Sequence, residues 1–166
     1  MKKYFAGLLV LFLLQSCIYG HQDDVVYEPQ YKPVTQSRAE FEKTLQLLEP
    51  RQVVNAGKIY IKNDLIYLNE VGEGFHIIDN SDPENPEPLA FLRIPLSTDL
   101  AIRNNTIYVH HAVDLVALTY SVSGNSIYLR HRERNVFPVL RSPEGLDESS
   151  YEIPENHIVI GYEQKN

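Results

Sequence analysis

Tryptophan is absent from this 166-residue chain, and cysteine occurs once, at Cys17. A lone cysteine excludes an internal disulfide, so stability must come from packing and strand pairing. Long apolar runs are missing as well. The stretch from Ala6 to Leu14 falls well short of the ~20 residues a helix needs to span a bilayer. Positive charge is in deficit, with 15 Lys and Arg against 22 Asp and Glu and a net charge of -7. That balance argues against nucleic acid as a partner and against electrostatic adhesion to anionic lipid. No G-x-S-x-G elbow, P-loop, H-E-x-x-H or G-x-G-x-x-G is present. Gly72-Glu73-Gly74 is too short for a dinucleotide fingerprint and opens no helix, so no cofactor is expected.

The short apolar run is informative by its place. Lys2 and Lys3 precede it and polar Gln15 and Ser16 follow it, the arrangement of a signal peptide. Leu14-Gln15-Ser16-Cys17 resembles the bacterial lipobox. The resemblance implies cleavage before Cys17, acylation of its thiol and new amino group, and anchoring to a membrane through acyl chains such as palmitate. Residues 1–16 are thus expected to be a lipoprotein signal peptide, and 17–36 an acylated cysteine with an extended tether. Within the tether, Gln22-Asp23-Asp24 is similar to the surface-export signal of Bacteroidota lipoproteins. The stretch from Val25 to Val34 is rich in Tyr, Pro and Gln and shows no period.

The remainder, 37–166, reads as one β-repeat domain with a short leading helix. Ser37-Arg38-Ala39-Glu40 has capping-box spacing, and Phe41, Leu45 and Leu48 fall at helical intervals, so a helix is expected from Ser37 to a stop before Pro50. From Gly57 the pattern becomes β. Ile61–Asp79 and Ile102–Tyr120 match at a constant offset of 41, with Ile61 on Ile102, Asn63 on Asn104, Ile66 on Ile107 and Tyr67 on Tyr108. Phe75 falls on Val116 and Ile77 on Leu118. Self-similarity at this period marks a stacked or radial β-repeat.

Each copy reads as four antiparallel strands. The first (57–97) has Lys58–Lys62, Leu65–Glu70, Gly74–Asp79 and Pro88–Ile94; the second (98–138) has Leu100–Arg103, Thr106–His110, Asp114–Tyr120 and Ser126–Glu133. Asn63-Asp64 and Asn104-Asn105 are suited to two-residue type I′ hairpins, and Gly124-Asn125 to a further hairpin. The continuous apolar run Leu65-Ile66-Tyr67-Leu68 predicts cover on both faces. Residues 139–166 contribute an acidic, proline-bearing loop and a last β-run, His157–Tyr162. The fold class is therefore all-β, with two consecutive four-stranded antiparallel sheets of propeller-like type.

The first copy carries Ile66-Tyr67-Leu68, Gly74-Phe75-His76-Ile77-Ile78-Asp79, Ser81-Asp82-Pro83 and Asn85-Pro86. In these it resembles the LVIVD repeat, a β-propeller-type repeat of secreted and surface proteins. Gly57-Lys58-Ile59-Tyr60, Val113-Asp114-Leu115-Val116, Asn135-Val136-Phe137-Pro138 and Val159-Ile160-Gly161-Tyr162-Glu163 extend the resemblance to Bacteroidota lipoproteins of that type. The second copy departs from it: Thr119-Tyr120-Ser121 stands where Ile78-Asp79-Asn80 stood. Closed propellers use about four blades or more. Two repeats leave three outcomes open: a small sandwich-like unit, an edge covered by a second molecule, or a truncated relative.

Few residues suggest chemistry. His110, His111, Asp114 and His131 are metal-ligating types, but adjacent strand histidines point to opposite faces, and no H-x3-H or C-x-x-C spacing accompanies them. They are expected to be surface or rim histidines. Glu70, Glu73 and Asp79 could pose as paired carboxylates, which for glycosidic chemistry must face each other across a cleft. Glu73, between two glycines, reads as a turn residue. No catalytic, metal or cofactor residue is assigned. Tyr60, Tyr67, Tyr108 and Tyr128, among eleven tyrosines, recur at strand positions and are expected to pack in the core or between repeats. Arg130-His131-Arg132-Glu133-Arg134 reads as a charged outer edge. The expectation is a non-enzymatic, lipid-anchored protein of the outer membrane, on its periplasmic or outer side, with a β-repeat binding module. A protein partner or a second copy would meet an exposed sheet edge. The rival reading is a glycan-processing hydrolase on the same scaffold.

Overall fold

The structure is a computed structural model and is described over residues 28–166. The leader, Cys17 and the Gln22-Asp23-Asp24 cluster lie outside the described residues. The chain is built from antiparallel β-sheets. In order, its elements are β1 (Tyr31–Ser37), α1 (Arg38–Glu42), β2 (Gln46–Leu48), β3 (Ala56–Lys62), β4 (Leu65–Glu70), β5 (Gly74–Asp79) and β6 (Glu87–Arg93). There follow β7 (Leu100–Arg103), β8 (Thr106–His111), β9 (Asp114–Ser121), β10 (Ser126–Glu133), a 3-10 turn (Glu148–Ser150) and β11 (His157–Gln164). Three sheets result: β2-β6-β5-β4-β3, β10-β9-β8-β7, and the ribbon β1-β11. They do not close into a propeller.

Three expectations near the N-terminal end are corrected. Tyr31–Ser37 is not tether: it is β1, antiparallel to β11 from Tyr31↔Gln164 to Ser37↔His157. The unpaired backbone of the last strand offered it a partner, which composition alone does not reveal. The helix does begin at Ser37, whose Oγ accepts the Glu40 N–H at 3.4 Å, but it ends at Glu42. Thr44 closes it by donating its N–H and its hydroxyl to the Phe41 carbonyl, at 2.9 and 2.6 Å. Leu45 and Leu48 therefore lie outside the helix. Gln46–Leu48 instead forms β2 on the free edge of β6, so the first sheet has five strands rather than four.

From β3 onward the strands fall within two residues of their expected bounds. The positive φ at the two hairpins belongs to Asn63 (51°) and Asn104 (55°) and not to Asp64 or Asn105. The turns thus differ from type I′, which needs both central residues left-handed. Pro88 sits in β6 beyond the reach of β2 and beside the register shift between Ile77 and Ile78, a place where proline is tolerated.

The two large sheets pack face to face. The core between them holds Tyr67, Phe75, Ile77, Leu92 and Ile94 from the first side, and Ile107, Val109, Val116, Leu118 and Tyr120 from the second. Each of these large apolar side chains contributes about 1.5–3 kcal/mol by leaving water. Alternation along a strand exposes a feature hidden in the sequence match. In β4 the core face carries Leu65 and Tyr67; in β8 it carries Ile107 and Val109, while Tyr108, the partner of Tyr67 at offset 41, is turned outward. The ladder is nevertheless preserved, since Ile61↔Ile66 becomes Ile102↔Ile107. The two copies therefore bury opposite faces. Repeats related by a two-fold axis would bury the same face, so these stack head to tail.

A second difference follows from loop length. Three residues, Val71 to Glu73, join β4 to β5, but only Ala112 and Val113 join β8 to β9. The missing residue moves the ladder by one, so Phe75 pairs with Asn69 while Leu115, not Val116, takes the matching place opposite His110. Val116 and Leu118 thereby reach the core from the opposite face of the sheet. A smaller cluster of Phe41, Val113 and Ile158 seats the ribbon and α1 at the β8–β9 turn.

Candidate functional site

Both large sheets bury a carboxylate at the turn joining their second and third principal strands. In the first sheet it is Glu70, at the end of β4. It accepts the Val54 N–H at 3.0 Å and the Asn55 N–H, and takes a further hydrogen bond from His76 Nε2 at 2.9 Å. The 49–55 segment is drawn over this face, with Arg51 lying 4.0 Å above the Phe91 ring and its Nη2 2.5 Å from Glu73 Oε2. Burial pushes the Glu70 carboxyl up. The Val54 N–H, His76 and the Asn55 N–H outweigh that effect and bring it to about 2.

In the second sheet the carboxylate is Asp114, the first residue of β9. Arg38 Nη1 donates to both its oxygens at 2.9 Å, Arg132 Nη1 to Oδ2 at 2.8 Å, and the Asn135 N–H to Oδ1 at 3.1 Å. Burial raises the Asp114 carboxyl, but these donors outweigh it and hold it below the usual range. Beside it, Arg132 Nη2 meets His111 Nδ1 at 3.1 Å. A guanidinium can only donate, so Nδ1 accepts and the ring proton resides on Nε2. That nitrogen faces Thr44 Oγ1 at 3.0 Å, and Thr44 in turn donates to Phe41. The imidazole stacks on Phe41, with centroids 4.1 Å apart. Burial and the Arg132 charge bring its pKa down to about 3.

The expectation of surface or rim histidines fails at His111, which has 0% of its surface exposed. His110 does point the other way, as strand alternation requires, and packs against Phe137. His131 is exposed and pairs with Glu133. The charged outer edge holds for Arg130 and Arg134 but not for Arg132, whose side chain is buried against Asp114. Arg132 pairs in the ladder with core residue Val116, a placement that alternation reveals only once the register is known. Glu73 is an exposed turn residue, and Asp79 accepts the Ser81 N–H at 2.8 Å. Glu70, Glu73, Asp79 and Asp114 are each taken up by separate partners rather than facing one another. Tyr67 is in the core and Tyr60 at its margin, whereas Tyr108 and Tyr128 are exposed.

The buried clusters fasten the fold. Glu70 ties the 53–55 backbone to β4 and β5, and Asp114 ties α1, β9, β10 and the 135 loop into one knot. Sequence reasoning missed Arg38, Thr44 and His76 because each acquires its partner only through tertiary packing. Among the described residues, no group of three or more His, Cys, Asp or Glu could hold a metal ion. No helix among them is long and apolar enough to cross a membrane.

The other conspicuous feature is on the surface. The face of the first sheet turned away from the core presents Ile59 and Ile61 on β3, 62% and 67% exposed, beside the partly buried Ile66, Leu68 and Ile78. β3 is also the sheet's edge strand, with no partner on its far side among the described residues. Comparison with family models, with curated proteins and with solved structures finds no match.

Proposed function

We propose that this chain is a non-enzymatic, lipid-anchored protein of a bacterial outer membrane, held by acyl chains on Cys17. Its two large sheets act as successive LVIVD-like, propeller-type blades and serve as an interaction module. The observation that carries the module is the uncovered aliphatic face around Ile59 and Ile61, at the edge of a sheet whose other face is fully packed. A monomeric soluble domain rarely leaves such a contiguous apolar face in water without a partner for it. Head-to-tail stacking supports the blade reading, because it leaves the two outward faces different from each other. Such a surface suits a protein partner or the unlike face of a second copy.

The anchor rests on Leu14-Gln15-Ser16-Cys17, and Gln22-Asp23-Asp24 fits display at the cell surface. Palmitate labelling of the wild type and of Cys17→Ala tests it: labelling is expected to vanish in the variant, and undiminished labelling overturns the anchor. The module is tested by cross-linking in intact envelopes. An adduct is expected with the wild type and not with an Ile59→Ser, Ile61→Ser double variant.

A further inference from the structure

Between the two large sheets, at the end marked by the β3–β4 and β7–β8 hairpins, opens a cleft of about 280 Å3. Its floor includes Tyr67, only 4% exposed, whose hydroxyl has no hydrogen-bond partner among the described residues. Among the described residues only Ser97 Oγ is both fully buried and unpartnered, so the Tyr67 hydroxyl is reached from the cleft and is free to bond whatever occupies it. Burial and the neighbouring Tyr120 push the Tyr67 phenol up to about 12, so it stays a neutral group able both to donate and to accept.

The remaining walls indicate what that something is. Asp79 lines the cleft, its carboxylate steadied by the Ser81 N–H. Asn105 and Lys62 stand at the rim with side chains that have no polar partner among the described residues. Ile102, Ile107 and Val122 supply an apolar surface in the same cleft. Two carboxylates, Asp64 and Asp79, against the single Lys62 disfavour an anion. An amide, a carboxylate and a phenol lining one cleft together with an apolar wall match adjacent hydroxyls carried on a C–H framework. We propose that this cleft binds a neutral, polyhydroxylated ligand of monosaccharide size, with Tyr67, Asp79 and Asn105 engaging its hydroxyls. The proposal deepens the reading of the chain as a binding module and rests on it, but it uses a different surface from the aliphatic face.

Calorimetric titration of the full chain, in a zwitterionic detergent free of sugar headgroups, tests the assignment. The probes are glucose, galactose and N-acetylglucosamine, with glucuronate and glucosamine as charged counterparts. At least one neutral sugar is expected to bind, with Kd raised about tenfold by Tyr67→Phe, the loss typical of a single hydrogen bond. Asn105→Ala, at an exposed rim position, is expected to weaken binding without altering far-UV circular dichroism. Absence of binding by all three neutral sugars overturns the proposal, as does binding indifferent to both variants or a preference for a charged sugar. The Ile59→Ser, Ile61→Ser variant separates the two readings. Sugar binding retained while envelope adducts are lost supports both; adducts that persist in it count against the aliphatic face alone.

Discussion

The first and second large sheets meet the same problem at the same turn and place their charge on opposite sides of it. In the first sheet, Glu70 ends one strand and faces Gly74 across the ladder; in the second, His111 ends the strand and faces Asp114. The carboxylate has changed strands. Glu70 draws its donors from nearby chain, residues 54, 55 and 76. Asp114 draws them from Arg38, Arg132 and Asn135, which belong to α1, β10 and a loop. A local network secures its own sheet. A dispersed one also secures the helix and, through it, the β1–β11 ribbon.

That contrast can be broken at Asp114. Asp114→Ala leaves two arginines facing a buried void and is expected to cost about 3–5 kcal/mol, as loss of one partner in a buried ion pair does. Urea unfolding followed by circular dichroism measures it, and the ribbon should lose amide-exchange protection before the first sheet does. The first sheet has its own vulnerable point in Gly74. Its φ is +148°, and an added Cβ would lie 2.0 Å from the Leu92 carbonyl oxygen. Gly74→Ala is expected to cost about 3 kcal/mol from backbone strain and overpacking, visible as a lower urea midpoint.

Acid should separate the two sheets more gently. His111 is held neutral, its pKa lowered from 6.5 to about 3, so the unfolded chain binds the proton first. Its contribution is complete above pH 6.5 and is lost as the pH falls toward 3. Glu70 is lowered from 4.5 to about 2, so its contribution is complete above pH 4.5 and is lost toward pH 2. Stability should thus begin to decline near pH 6.5, where His110, also lowered by burial, adds to His111, each group contributing a slope of at most about 1.4 kcal/mol per pH unit. Urea midpoints at stepped pH values check this. His111→Phe, which keeps the stack on Phe41, should shrink the upper limb to the part that His110 supplies, and Glu70→Gln should flatten the lower one. The smallest change in stability is expected from Ile59→Ser with Ile61→Ser, within about 0.5 kcal/mol for each exposed site. A thermal melt checks that figure, while the envelope adduct disappears.

Most strands from β3 onward were legible because apolar alternation and Asn-bearing turns are local signals, and the duplication reinforced them. The offset of 41 was sound for the ladder of β3 and β4 against β7 and β8, yet it concealed the inversion of faces. Tyr67 and Tyr108 have the same neighbours in sequence and opposite surroundings in space. Likewise Phe75 and Val116 matched as core residues, although the shorter β8–β9 loop makes Leu115 the ladder equivalent of Phe75. β1, β2 and the interior roles of His111 and Arg132 were not legible. A three-residue strand has no period to detect, and an edge pairing depends on which edge is free.

The amino-acid sequence alone determined the all-β class, the duplication, the hairpin positions and the absence of any disulfide. Each follows from interactions within a few residues, or from composition. Tertiary structure decided which face of each copy is buried, what neutralises Asp114, and that β1 closes against β11. It also decided that Ile59 and Ile61 face water while their counterparts in the second copy do not, and that Tyr67 opens onto a cleft. Those outcomes depend on one sheet meeting another. Strand alternation offers two equally apolar faces, and only packing selects between them.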